Sequence, residues 1–73
     1  MYYLGWYDDS KKRSVQEKIG EACGVYVEKY GRVPDVVLLS ATDKVDMADM
    51  VVLVEPYMRQ NYFYVGVMEA VTE

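Results

Sequence analysis

Four groups of residues in this chain have types and spacings that could do chemistry. Lys11, Lys12 and Arg13 precede the start of a helix, where free backbone N–H groups and the helix dipole favour an anion. They form a candidate anion site for a phosphate group. Asp8 and Asp9 stand beside them, and the glycine-rich loop of nucleotide binders is absent, so a solvated charged loop is the plainer reading. Asp43, Asp46 and Asp49 recur every third residue, and on one helical turn they could share a hard cation. Calcium loops need alternate-residue ligands, a glycine and a terminal glutamate, none of which fits here; helix caps and solvated charges account for the three.

Cys23 is a potential nucleophile, but the chain contains no histidine to activate it. It falls on the apolar side of a helix and reads as a small buried side chain. The tyrosines Tyr3, Tyr7, Tyr62 and Tyr64 are the fourth group. Flat rings can stack bases of single-stranded nucleic acid, or they can supply stiff, amphipathic area to a protein interface.

The totals weigh between these chemistries. With no histidine, no nucleophile beside a base and no metal cluster, acid–base work would rest on carboxylates and tyrosines at spacings that point to no site. The sequence therefore reads as non-enzymatic, with no cofactor and no metal. The net charge is −4 and unevenly spread. Residues 8–32 carry six basic and five acidic side chains, whereas residues 33–73 carry two basic and seven acidic. An acidic half repels phosphate backbones and argues against nucleic acid as a partner. One cysteine, with no partner in the chain, suits a reducing compartment and places the protein in the cytoplasm. No apolar run approaches the ~20 residues of a membrane span.

At 73 residues the chain reads as a single small domain, 1–73. Domains near this size bury only about 60% of their unfolded surface and lean on disulfides, metals or oligomerisation. The first two are ruled out by composition, which leaves association.

The elements that must position these residues are legible in outline. Tyr2 to Tyr7 reads as a strand and residues 8–13 as a loop. SVQE at 14–17 is a capping box, and Gly31 with Pro34 closes the helix it opens. Val15, Ile19, Ala22, Cys23, Tyr26 and Tyr30 share one face, and Glu17, Glu21 and Glu28 form a stripe on the other side. Gly20, Gly24 and Gly31 make a smooth edge between them, open to close approach of a backbone or merely tolerated. Three more strands follow at 35–41, 50–55 and 61–69, with a helical turn capped by Thr42 or Asp43 and a hairpin turn at 56–60. The order β-α-β-β-β predicts an α+β fold, with a single helix packed on one face of a mixed four-stranded sheet. The first two strands run parallel across the helix, and the last three are expected to form an antiparallel meander.

A sheet with one wet face alternates apolar and polar residues, but VVLL at 36–39 and VVLV at 51–54 are apolar on both faces. One helix of about 16 residues is roughly 24 Å by 10 Å, enough for about two strands of one face. Alternation places Leu4, Trp6, Phe63, Val65 and Val67, with Tyr2, beneath the helix. The second face collects Tyr3, Tyr7, Val36, Leu38, Val51, Leu53, Tyr62 and Tyr64. These eight are the expected interface of a homodimer or of a complex with a protein partner. The alternative is a weak single-stranded nucleic-acid or phosphate-ligand binder, using the tyrosine platform and the Lys11–Arg13 loop.

Overall fold

A computed structural model describes residues 3–68. The place given to Tyr2, and the Glu69 end of the last strand, lie outside them. The elements are β1 (Tyr3–Tyr7), α1 (Val15–Tyr30), β2 (Val36–Leu39), a single 3-10 turn (Ala41–Asp43), β3 (Val51–Val54) and β4 (Tyr62–Gly66). One helix lies on a mixed four-stranded sheet, as the pattern predicts.

α1 starts and stops where local chemistry dictates. The Glu17 backbone N–H donates to Ser14 Oγ at 3.1 Å, and the Ser14 N–H donates to Glu17 Oε1 at 2.8 Å. Those two bonds satisfy orphan donors at the helix start. The Ser14 backbone and hydroxyl hold the Glu17 carboxyl below its ordinary pKa. The support this lends is therefore present above the usual carboxylate pKa and fades as pH falls through the lowered value. At the other end Gly31 takes φ 70°, and its N–H closes on Val27 C=O at 2.8 Å. A left-handed residue there favours glycine. A Cβ built at Gly20 or Gly24 meets nothing within 4 Å, so neither glycine serves a close approach among the described residues.

Strand order is β1-β4-β2-β3. β4 runs antiparallel to both β1 and β2, so β1 and β2 are parallel to each other with β4 between them. β3 pairs with β2 in parallel. This corrects the expected meander: β3 and β4 are not neighbours, and residues 56–60 are not a hairpin turn. A parallel neighbour needs a crossover of a dozen or so residues, and the stretch 40–50 between β2 and β3 supplies it. The 3-10 turn in that crossover has Ser40 at its N-cap position rather than Thr42 or Asp43.

The registers give two rows of side chains facing the helix. They are Leu4–Val65–Val37–Val52 and Trp6–Phe63–Leu39–Val54. Ile19, Ala22 and Tyr26 of α1 close over them, with Phe63, Leu39, Val37 and Val65 fully buried. The helix packs chiefly on β4 and touches β1. Val45, Met47 and Met50 of the crossover complete this core. Trp6 packs into it half-buried, although its indole Nε1 is buried without a hydrogen-bond partner among the described residues.

Candidate functional site

The opposite sheet face is built from the other half of each strand. Its rows are Tyr3–Gly66–Val36–Val51, Gly5–Tyr64–Leu38–Leu53 and Tyr7–Tyr62. All eight residues predicted for this face therefore lie on it together. Val36 is fully buried, so the accessible part comes from the other seven. Tyr7 (53% exposed), Val51 (46%) and Tyr64 (42%) are the most open of them, whereas in the helix-side rows only Val54, on the edge strand, is exposed.

Two glycines shape this surface. A Cβ at Gly5 would lie 3.2 Å from Tyr64 Cε1, so the Tyr64 ring lies flat across β1 at the one position without a side chain. Gly66 stands between Tyr3 and Val36 in its row, and both Gly66 and Val36 are buried. At the far end Tyr7 and Tyr62 stack with centroids 4.6 Å apart, tilted 47°. Cross-strand aromatic pairs of this kind stiffen a face.

The connector from β3 to β4 passes the end of β2 and brings Tyr57, which the sequence pattern did not place, beside Tyr3 and Tyr64. Tyr57, Met58, Arg59, Tyr62 and Tyr64 line an open groove of about 290 Å³. Desolvation and then the Glu55 carboxylate, which accepts its hydroxyl, raise the Tyr57 pKa. Desolvation and then Asp9, which accepts at 3.3 Å, do the same for Tyr7. Both phenols stay protonated at neutral pH, with their protons directed to those carboxylates.

The other candidates are spent differently. Arg13 pairs with Glu21 and approaches Asp8 Oδ2 at 3.8 Å, so its guanidinium already faces carboxylates. Glu17 occupies the helix start behind it. Lys11 and Lys12 are exposed. Asp43 is buried, where Oδ2 accepts from the Asn61 N–H at 2.6 Å and from the Ser40 hydroxyl at 3.2 Å. Asp46 and Asp49 are exposed apart from it, and no three metal-ligating side chains converge among the described residues. Cys23 is half-buried and points at Met50 Sδ, 3.8 Å away. Burial pushes its thiol pKa up, the reverse of what a nucleophile needs. No helix among the described residues is long and apolar enough to cross a membrane. No protein-family model, curated protein or solved structure matches the chain.

Proposed function

We propose that this protein is a small, non-enzymatic interaction module of the cytoplasm that forms a homodimer through its tyrosine-rich sheet face. The observation that carries this reading is the exposed part of that face: rows of tyrosine and aliphatic residues, open at all but Val36, with no helix or strand among the described residues laid over them. A face this apolar in a small domain marks an interaction surface, and tyrosine enrichment is the compositional signature of one. The lone free thiol is consistent with a reducing interior.

Size sets the strength. Four strands at about 4.8 Å spacing and five residues at about 3.3 Å give a face of roughly 19 by 17 Å. That is well short of the ~800 Å² per partner in a standard interface. Dissociation in the micromolar range is therefore expected. Sedimentation velocity over a micromolar concentration series should show mass rising towards twice 8.4 kDa. Placing arginine at both Tyr62 and Tyr64 should weaken association at least about tenfold, because charge would enter the desolvated centre. A chain that stays at 8.4 kDa across the series refutes the dimer.

One observation favours a second reading. Arg59 lines the same groove as Tyr57, Tyr62 and Tyr64, with no carboxylate paired to it among the described residues. Rings with a guanidinium beside them suit a base and its phosphate. A weak single-stranded nucleic-acid binder would be retained on an oligonucleotide column and released by salt, whereas an acidic dimer would flow through.

A further inference from the structure

The sheet has a second place at which another copy fits, and it is an edge rather than a face. The Val51 N–H donates to Asp35 C=O at 2.9 Å, and the Glu55 N–H donates to Leu39 C=O at 3.0 Å. Backbone direction alternates along a strand, so Val51, Leu53 and Glu55 turn their N–H and C=O groups towards β2. Val52 and Val54 turn theirs outward. No partner for these four groups appears among the described residues. Such edges are normally blunted by lysine, proline, a bulge or an inward charge. β3 reads VVLV, four residues with no lysine, proline or charge among them.

We propose that β3 pairs antiparallel with β3 of a second copy, about a two-fold axis passing between Leu53 and its symmetry mate. Val52 then faces Val54 of the other copy, and each pair exchanges two hydrogen bonds, four in all. Leu53 meets Leu53 in the close, non-hydrogen-bonded pair on the tyrosine side. The segment Val52–Leu53–Val54 reads the same in both directions, so every residue meets its own kind.

The neighbouring registers fail for stated reasons. A slip one way centres the pair on Val52 and sets Asp49 against Glu55 of the other copy, like charges directly opposite. A slip the other way centres it on Val54 and sets Val52 against Pro56, which has no N–H to donate. In the surviving register Glu55 lies opposite Val51. The product is an eight-stranded sheet with both helices on one side and both tyrosine faces on the other. This edge is distinct from the tyrosine face, sharing Val51 and Leu53 with it, and does not depend on that face being covered.

Amide hydrogen exchange by NMR on the whole chain, dilute and concentrated, tests the pairing. Val52 and Val54 amides are expected to slow at least about tenfold as concentration rises, while Val51 and Leu53 stay protected throughout. A Val54→Pro variant should keep its far-UV spectrum, since edge positions with an outward N–H tolerate proline, and lose the protection at Val52. If the Val52 and Val54 amides exchange freely at every concentration, the edge pairing is wrong, whether or not the protein associates. Association without that protection leaves the tyrosine-face dimer standing alone. Protection that survives arginine at Tyr62 and Tyr64, with unchanged mass, retires the face and keeps the edge.

Discussion

Phe63→Ala is expected to destabilise the chain by about 3–5 kcal/mol, a large share of its total stability. Phe63 is fully buried in the middle of the row Trp6–Phe63–Leu39–Val54, on a strand with neighbours on both sides. Removing a ring from such a site costs about 3–5 kcal/mol in lost transfer energy and residual cavity. A 73-residue chain has a total stability of about 4–11 kcal/mol at ordinary values per residue. The substitution therefore removes most or all of the margin at the lower end and about a quarter to a half at the upper. Trp6 is its register partner across β1 and β4, so Trp6 fluorescence reads the same neighbourhood. A urea titration should show the midpoint falling by about a quarter or more, and at the lower end of that range the emission already red-shifted without urea. A loss below about 1 kcal/mol would mean that the ring does not sit in a tightly packed core.

The second large effect is expected at Asp43. Its carboxylate is 6% exposed and accepts from the Asn61 backbone and the Ser40 hydroxyl. Asn61 sits at φ 72°, a left-handed conformation, and its side-chain oxygen accepts from the buried Lys18 Nζ at 3.5 Å. One carboxylate thus fixes the residue that launches β4 and, through it, the helix. Hydrogen bonds to a charged group contribute about 1.5–3 kcal/mol each way, and alanine would strand two donors. Asp43→Ala should cost about 2–4 kcal/mol by chemical denaturation. Asp43→Asn keeps an accepting oxygen and should lose less. Asp46→Ala, at an exposed position, should stay within about 0.5 kcal/mol. Equal effects at Asp43 and Asp46 would contradict the special role of Asp43.

These two sites mark what a reader of the sequence can and cannot see. Phe63 is visible, because alternation along NYFYVG separates it from Tyr62 and Tyr64 without reference to any partner. The capping box at Ser14 and the stop at Gly31 are visible for the same reason: each is decided within a few residues. Asp43 is not, because its partner Asn61 is eighteen positions away and joins it only once the chain has passed β2. The order of strands is hidden likewise. Side-chain period says which face a residue takes and nothing about which strand lies alongside. A short polar stretch such as PYMRQ looks like a hairpin until β2 is known to stand between the strands it joins. Tyr57 reaches the tyrosine face by that same path, so the site gained a residue that no local pattern announces.

The central position of β4 has a consequence in time. Among the described strands it is the last in the order of synthesis, yet it is the one neighbour of β1 there and β2 needs it on one side. As the chain emerges, only the parallel pair of β2 and β3 can form early; β1 must wait, with its rings uncovered, until β4 arrives from more than fifty residues downstream. Pairings of such long range make folding slow and hold the sheet back until its end. In the interval the apolar strands are free to meet strands of other copies, so it is during birth, before maturity, that this protein most needs protection from its own kind.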